Sequence, residues 1–251
     1  MPLLELEGVT AGYGSAPNII NGVDMVVEPA HSYCIIGPNG AGKSTLLRAI
    51  CGILHPRAGR VLLDGEDIGR LRPDQILARG LCFVPSDRAL FPAMTVRENL
   101  EMGAFLERDR RVIAERLERA LELFPILRER ASQRAGTLSG GQQQQVVLGR
   151  ALMMQPRIIM IDEPSLGLAP QIAEQIFRTI AGFTDMGIAV LLVEQNVRRG
   201  LNAAMSGVVL DLGRKVLEGP AAEILTDPRL RELYLGRQAE AAAGSADDGR
   251  A

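Results

Sequence analysis

The segment "SYCIIGPNGAGKSTLLRAI" (residues 32–50) decides the fold, because it joins an apolar run, a glycine-rich loop and a helical pattern in that order. "SYCIIG" (32–37) is short and apolar and ends in glycine, which is typical of a buried parallel strand. The apolar residues of "GKSTLLRAICGIL" (42–54) recur at helical spacing. A strand that passes through a glycine-rich loop directly into a helix predicts an α/β protein.

The loop "GPNGAGKST" (37–45), called the P-loop below, fits the phosphate-binding pattern G-x-x-x-x-G-K-[ST]. Its glycines let successive backbone N–H groups point inward at phosphate oxygens, and the helix N-terminus adds partial positive charge. We expect Lys43 to reach the β- and γ-phosphates of a nucleotide and Ser44 to bind Mg²⁺. A chance match occurs on the order of once in a hundred chains of this length, and the strand–loop–helix context lowers that rate further. The predicted nucleotide-binding residues of this loop are Gly37, Pro38, Asn39, Gly40, Ala41, Gly42, Lys43, Ser44 and Thr45.

The segment "IIMIDEPSLG" (158–167) places two adjacent acids, Asp162 and Glu163, at the end of an apolar run. Two carboxylates in one corner repel each other and resist desolvation unless a positive partner lies beside them. A Mg²⁺ ion on the nucleotide phosphates would be that partner, with Asp162 holding the metal and Glu163 orienting or deprotonating the attacking water. Taken alone, "DEP" also fits an acidic helix N-cap before Pro164, but the P-loop in the same chain favours the metal.

Short apolar runs separated by helical patterns continue along the chain, which indicates an α/β sheet. The interval 95–154 differs, because it is predicted to be nearly all helix and therefore a helical insertion in the α/β core. We expect a single domain over residues 1–237 and a disordered tail of small and polar residues over 238–251. The further strands are expected at 3–9, 23–29, 61–64, 81–84, 158–161, 188–193 and 207–210.

Composition excludes several classes of protein. The net charge of −2 over 251 residues gives no sign of nucleic-acid binding. The three cysteines are far apart in apolar stretches and form no CxxC pair, so we expect reduced core thiols. The N-terminus lacks the pattern of a signal peptide, and no apolar stretch approaches the roughly 18 residues of a membrane helix. A soluble protein is expected.

A second anion-binding motif, "LSGGQ" (138–142), opens a helix within the insertion. Ser139 is a natural N-cap, and Gly140 and Gly141 expose backbone N–H groups. One chain seldom needs two phosphate sites for one triphosphate, so this site is expected to face the nucleotide of a second subunit. Together with the P-loop, "IIMIDEP" and "SLGL" (165–168), the motif resembles the ATP-binding cassette (ABC) ATPases over about residues 3–236.

The resemblance implies a P-loop NTPase (RecA-like) core with an N-terminal antiparallel β subdomain and an inserted α-helical subdomain. It implies a head-to-tail dimer that encloses two ATP molecules, each held by one P-loop and by Ser139, Gly140, Gly141 and Gln142 of the other chain. It also implies that Tyr13 stacks on adenine, although a lone Tyr is more often part of a core or a turn.

Two positions depart from the commonest pattern of that family. Ser86 occupies the place of a Gln that contacts Mg²⁺ and the attacking water, and Gln195 occupies the place of a His that contacts the γ-phosphate. Gln195 can donate a hydrogen bond to a phosphate oxygen but cannot carry a proton, and Ser86 needs a bridging water to span the gap. Slow turnover with intact nucleotide binding is therefore expected, and Asp87 could compensate for Ser86.

Within the family, "EPSLGLAP", "LLVEQN" and "LRELYLG" resemble ATPase subunits of branched-chain amino acid importers and their urea and amide relatives. The resemblance implies ATP hydrolysis on the cytoplasmic face of the membrane, with separate permease subunits, a second ATPase subunit and an external solute-binding protein. The docking groove for the permease is expected near residues 86–94, with Phe91 and Met94 as candidate contacts. Two alternatives remain, a lipid or lipopolysaccharide exporter's ATPase and a nucleotide-dependent sensor that barely turns over ATP.

Overall fold

Two sheets form the framework of the chain in the computed structural model, which describes residues 1–234. The predicted disordered tail, 238–251, lies outside the described residues. The strands are β1 Leu4–Ala11, β2 Ile20–Val27, β3 Ser32–Ile36, β4 Ala58–Leu63, β5 Glu66–Asp67, β6 Leu81–Val84, β7 Ile158–Asp162, β8 Ala189–Val193, β9 Ser206–Asp211 and β10 Arg214–Pro220. The α-helices are α1 Lys43–Ile50, α2 Pro73–Ala78, α3 Val96–Met102, α4 Arg110–Leu123, α5 Pro125–Glu129, α6 Gly140–Leu152, α7 Pro170–Ala181, α8 Val197–Asn202 and α9 Ala221–Thr226.

The larger sheet has the strand order β10-β9-β3-β8-β7-β6 and is parallel except at β10. Successive side chains of a strand point to opposite faces of the sheet, and in the central strands both sets are buried. In β3, Cys34 and Ile36 join the core on one face, whereas Tyr33 and Ile35 join the core on the other. This explains why these strands appear in the sequence as unbroken apolar runs, and it confirms the predicted α/β class.

One face of the larger sheet packs against α1 and the smaller sheet. The smaller sheet is antiparallel, with the order β2-β1-β4-β5. In β2, buried and exposed residues alternate, as expected for a strand with one face toward a core and one toward solvent. Residues of β1 and β2 share one core with α1. The loop that joins these two strands includes Tyr13.

The other face of the larger sheet is covered by helices, including α3 to α6 between β6 and β7. Within the predicted helical interval, α4 turns one apolar face to this core: Leu117, Ala120, Leu121 and the following Phe124 are buried, and Ile113 is partly buried against them. Among residues 1–234, no helix has the length and apolar character needed to cross a bilayer.

The three cysteines are unpaired and buried, as the sequence predicts. Burial raises the pKa of Cys51 to about 11 and that of Cys82 to about 12, and it also raises the pKa of Cys34. Because the thiolate is the reactive form, these thiols act as small apolar core residues.

Strands β5 and β10 were not predicted. β10 is an edge strand in which Leu217 is the one buried residue, and its other positions are exposed or half-exposed and include charged side chains. Charged residues on an edge strand prevent pairing with other chains, and they also hide the apolar alternation that identifies a strand in a sequence.

The turn between β9 and β10 joins the two sheets through Gly213. Its N–H donates to the carbonyl oxygen of Ala41 (3.1 Å), and its own carbonyl oxygen accepts from the N–H of Asn21 (2.8 Å). Its φ is +76°, and a Cβ at this position would lie 1.8 Å from the carbonyl oxygen of Ile19. Both the backbone conformation and the close approach therefore require glycine.

We predict that Gly213→Ala lowers the free energy of unfolding by about 2–4 kcal/mol, because strain and displacement of the adjacent backbone add together. Thermal unfolding would then shift by roughly 5–10 °C. Gly219→Ala in β10 is the matched control, since no atom lies within 4 Å of its Cβ position and its φ is not positive. Equal melting temperatures for the two variants would contradict the prediction.

Candidate functional site

The P-loop leaves the carboxyl end of β3 and passes close to two other strands. A Cβ on Gly37 would lie 2.2 Å from the carbonyl oxygen of Leu210 in β9. Gly42 has a φ of +99°, and a Cβ there would lie 2.6 Å from Cδ1 of Ile20 in β2. These glycines of the motif are thus fixed by the packing of the loop, which lets its backbone curl ahead of α1.

Lys43 is the first residue of α1, and its side chain turns back over the loop. Its Nζ donates to the carbonyl oxygens of Gly37 (2.8 Å) and Pro38 (3.1 Å). Burial lowers the pKa of Lys43, and this effect is opposed by the carboxylates of Glu163, Asp162 and Glu194, in decreasing order. A buried ammonium held only by neutral carbonyl groups is suited to exchange them for anionic phosphate oxygens.

Asp162 ends β7, two strands away from β3 in the sheet. Its Oδ1 accepts a hydrogen bond of 3.1 Å from Oγ of Ser44, so the structure brings together two predicted metal ligands 118 residues apart. Burial raises the pKa of Asp162, and the bond from Ser44 offsets part of the rise. A carboxylate and a hydroxyl oxygen are donors suited to a hard cation such as Mg²⁺.

The predicted catalytic pair is also in contact. Glu163 has a φ of +48°, which is uncommon for a residue with a side chain, and its N–H donates to the carbonyl oxygen of Val193 (2.9 Å). Nε2 of Gln195 donates to Oε1 of Glu163 at 2.9 Å. The loops after β7 and β8 therefore hold the carboxylate of Glu163 beside an amide that can also donate to a phosphate.

Glu194 is a site residue that sequence reasoning missed. It is only 3% exposed, and its carboxylate accepts from Oγ of Ser165 (2.9 Å) and from the N–H groups of Gln195 (3.0 Å) and Asn196 (3.2 Å). A Cβ on Gly200 would lie 3.0 Å from the Cβ of Glu194, so the helix that follows is packed tightly against it. The one available signal was an acid directly after the apolar run "IAVLLV".

Tyr13 lies in the loop between β1 and β2 with 40% of its surface exposed. Its hydroxyl oxygen accepts from Nη1 of Arg48 in α1 (2.9 Å). Arg57, also missed from the sequence, donates to the carbonyl oxygens of Ala16 (2.8 Å) and Gly14 (2.7 Å). Arg48, in the last turn of α1, therefore holds the hydroxyl end of Tyr13, and Arg57 holds the backbone of the loop, while part of the ring stays open.

The signature motif, residues 138–142, lies at the start of α6. Oγ of Ser139 accepts from the N–H of Gln142 (3.4 Å), and Oε1 of Gln142 accepts from the N–H of Ser139 (3.1 Å), so the predicted N-cap is part of a capping box. The atoms nearest to the Cβ positions of Gly140 and Gly141 belong to Arg88, Leu168 and Ile172. None of these residues belongs to the P-loop, so the two phosphate motifs of this chain have different surroundings.

Ser86 lies two residues beyond β6, the neighbour of β7 in the sheet. Its hydroxyl has no hydrogen-bond partner among residues 1–234, so no direct hydrogen bond joins it to Asp162 or Ser44. Within that part of the chain, no three or more His, Cys, Asp or Glu side chains cluster as metal ligands. Few protein ligands are typical of Mg²⁺ that is bound largely through substrate phosphates.

A groove of 590 Å³ opens between the α/β core and the helical insertion. Exposed apolar side chains of Ile53, Phe91, Met102 and Phe105 line it. Met94, the other residue expected here, is not among the lining residues. Arg150 lies at 5.5 Å from the ring centre of Phe91, and its Nη2 donates to the carbonyl oxygen of Ala89 (2.7 Å).

Comparisons with known proteins agree with these motifs. The sequence profile described as "ABC transporter" matches residues 20–166. The chain is 42% identical over 93% of its length, and 100% of the relative, to the high-affinity branched-chain amino acid transport ATP-binding protein BraG of Pseudomonas aeruginosa. It is 33% identical over 87% of its length, and 91% of the relative, to the lipopolysaccharide export system ATP-binding protein LptB of Escherichia coli.

Two solved structures extend this likeness. The ATP-binding cassette MJ1267 in its ADP conformation has a TM-score of 0.85 and 31% identity over 94% of this chain and 99% of that chain. The bacterial ABC transporter cassette MJ0796 in its dimeric structure has a TM-score of 0.77 and 27% identity over 87% and 98%.

The raised pKa of Asp162 predicts a stability change with a defined sign. A carboxyl group with a raised pKa in the folded state stabilises the protein below its ordinary pKa, and this contribution is lost as pH rises through the raised value. At pH 7 the charge of Asp162 is therefore unfavourable in the nucleotide-free protein. We predict that Asp162→Asn raises the melting temperature at pH 7, and that the difference from the wild type shrinks as the pH falls.

Asp64→Asn is the control, because the pKa of Asp64 is lowered in the folded protein, whereas that of Asp162 is raised. The side-chain hydrogen bond from Arg157 lowers the pKa of Asp64, which is largely exposed, and Asn tolerates its φ of +51°. This variant should melt at the same or a slightly lower temperature than the wild type. The prediction that the charge of Asp162 is unfavourable at pH 7 would be refuted if Asp162→Asn lost as much stability as Asp64→Asn, or more.

Proposed function

This chain belongs to the ABC transporter family, and we propose that it is the ATPase subunit of an importer of branched-chain amino acids or related small polar solutes. Members of this family bind and hydrolyse ATP. The observation that carries the proposal is the meeting, at one sheet edge, of the P-loop lysine, the Ser44–Asp162 pair and the Glu163–Gln195 pair. The proposed solute class rests on the similarity to BraG, which is greater than the similarity to the exporter subunit LptB.

In the proposed site, the nine P-loop residues surround the phosphates, and Lys43 exchanges its two carbonyl partners for β- and γ-phosphate oxygens. Mg²⁺ would be held by Ser44 and Asp162, with Ser86 reaching it through water; the ion neutralises charge on the phosphates. Tyr13 would offer its open face to adenine, with Arg48 and Arg57 fixing its position.

Glu163 is the proposed general base, or the group that orients the attacking water. Gln195 keeps the carboxylate of Glu163 in place and would also donate to a γ-phosphate oxygen. Because an amide cannot carry a proton and Ser86 is short, turnover is expected to be slow.

The other half of each site would come from a second chain, either a copy or a related subunit. Ser139, Gly140, Gly141 and Gln142 would contact the γ-phosphate held by the partner's P-loop. Leu166 and Ile172, which are 51% and 38% exposed, provide apolar surface beside this motif that a partner chain would cover.

The groove beside Phe91 is the proposed contact for separate membrane-spanning permease subunits, which would hold the chain at the cytoplasmic face of the membrane. Its apolar lining and its position between the core and the helical insertion support this use. An external solute-binding protein would deliver the solute to the permease and would not touch this chain.

We predict that Glu163→Gln traps a dimer in the presence of Mg²⁺ and ATP, because the variant binds the nucleotide but lacks the base that hydrolyses it. Size-exclusion chromatography would show ATP-dependent pairing, while the wild type releases phosphate slowly in the presence of the permease. Asp162→Asn, without the proposed metal ligand, should not pair. If wild type and Glu163→Gln are equally inert with the permease present, the transport function fails and a nucleotide sensor is favoured.

We predict that Phe105→Glu abolishes co-purification with the permease from detergent-solubilised membranes and leaves ATP binding unchanged. Phe105 is 57% exposed in the groove, so a charge there disturbs the docking surface without disturbing the core. Leu212→Glu is the matched control, since Leu212 is 69% exposed and does not line the groove. Capture of a lipopolysaccharide-export permease by the wild type would favour the exporter alternative over import.

A further inference from the structure

Arg88 has no role in the site described above, yet it lies in a strained segment beside it. Arg88 and Ala89 have φ values of +63° and +37°, and neither is glycine. Two consecutive residues in this region are costly, and such conformations persist where surrounding contacts enforce them, often at functional sites. The conformation turns the side chain of Arg88 toward the loop after β7 and the start of α6.

The guanidinium of Arg88 lies between two loops of the proposed dimer face. Its Nη2 donates to the carbonyl oxygen of Leu166 at 2.9 Å. Both Nη atoms lie 3.4 Å from the Cβ position of Gly140, and Nη2 lies 3.8 Å from that of Gly167. The side chain thus reaches Gly140, the first residue of α6, which is half-buried and follows the exposed Ser139 of the signature motif.

The charge of Arg88 is not neutralised there. Within residues 1–234, Arg88 forms no ion pair with a carboxylate, and the carbonyl of Leu166 is its one side-chain hydrogen-bond partner. The N-terminus of α6 carries partial positive charge, so a guanidinium beside it is unfavourable unless an anion lies between them. Several of its five N–H donors remain available for such an anion.

We propose that Arg88 binds the γ-phosphate of the ATP molecule held by the P-loop of the partner chain, together with Ser139 and the N–H groups of the signature motif. The inference rests on the proposed two-chain site. A guanidinium can bind a phosphate through two parallel hydrogen bonds. The contact with Leu166 orients the guanidinium of Arg88 before the nucleotide binds. The partner's phosphate is the anion concerned, because the signature motif beside Arg88 has no P-loop residue among its nearest neighbours.

Single substitutions measure the contribution of Arg88. Arg88→Ala should raise the KM for ATP roughly tenfold or more, as expected for loss of a charge-assisted hydrogen bond, with no change in melting temperature. Arg88→Lys keeps the charge but loses the paired N–H donors of the guanidinium, and its KM for ATP should lie between those of Arg88→Ala and the wild type. Should Arg88→Ala melt early, Arg88→Gln replaces it, since its amide can still donate to Leu166.

Mixed pairs, purified through two different affinity tags, test whether Arg88 acts on the partner's nucleotide. A pair of one Lys43→Ala chain and one wild-type chain is the reference with one working P-loop. The second pair joins a Lys43→Ala chain to an Arg88→Ala chain. Its working P-loop belongs to the Arg88→Ala chain and faces the intact Arg88 of the other chain, so the KM for ATP should equal that of the reference pair. When one chain carries both substitutions and the other is wild type, the working P-loop faces the surface that has lost the guanidinium, and KM should rise roughly tenfold.

A raised KM in the second pair and a reference KM in the third pair, whose double variant faces a wild-type chain, would overturn the inference, because Arg88 would then act on the nucleotide of its own chain. Equal KM values in all pairs would also overturn it and leave Arg88 a structural residue that only ties two loops together. Failure of the proposed function is distinguishable, since wild type and Glu163→Gln would then be equally inert with the permease present, whereas failure of this inference alone leaves the wild type active.

Discussion

Charge at the carboxyl edge of the six-stranded sheet is the constraint on which the site depends. Asp162, Glu163 and Glu194 lie at the ends of β7 and β8, and Lys43 faces them from the end of the P-loop. Asp162 and Glu194 are almost fully buried, and the hydroxyl and N–H groups that donate to them offset part of the cost of burying two carboxyl groups. Lys43, together with Arg48 on the side of Asp162, leaves three carboxylates with an excess of negative charge, which a divalent cation arriving with the nucleotide would offset.

Local features of the sequence were enough to predict the centre of this arrangement. The P-loop is defined within nine residues, because its conformation depends on glycines and on the strand and helix at its two ends. Asp162 and Ser44 could each be assigned to Mg²⁺ from the sequence, and they meet in the fold because parallel strands present their carboxyl ends at one edge of the sheet. The buried strands were predictable because both of their faces are apolar.

The residues that sequence reasoning missed act through contacts between distant segments. Arg57 closes the loop that carries Tyr13 because β1 and β4 are neighbours in the smaller sheet, and a strand order of this kind has no local signal. Glu194 and Ser165 meet across 29 residues, and Arg88 and Leu166 across 78. Nothing in the local sequence around these residues indicates their partners, so only the fold reveals them.

The segment 86–91 lies beside the proposed metal site, the signature motif and the groove. Ser86 follows the strand beside β7, Arg88 contacts the loop after Glu163 and the start of α6, and Phe91 lines the groove. Between them, the carbonyl of Ala89 accepts from Arg150, so the strained backbone is held from the groove side as well. A segment held at Arg88, at Ala89 and, through the side chain of Asn99, at Phe91 cannot absorb a displacement by bending freely. In the proposed assembly, movement of a permease subunit bound in the groove would shift Arg88 and the loop after Glu163 together, so the proposed dimer closure and permease movement would depend on each other.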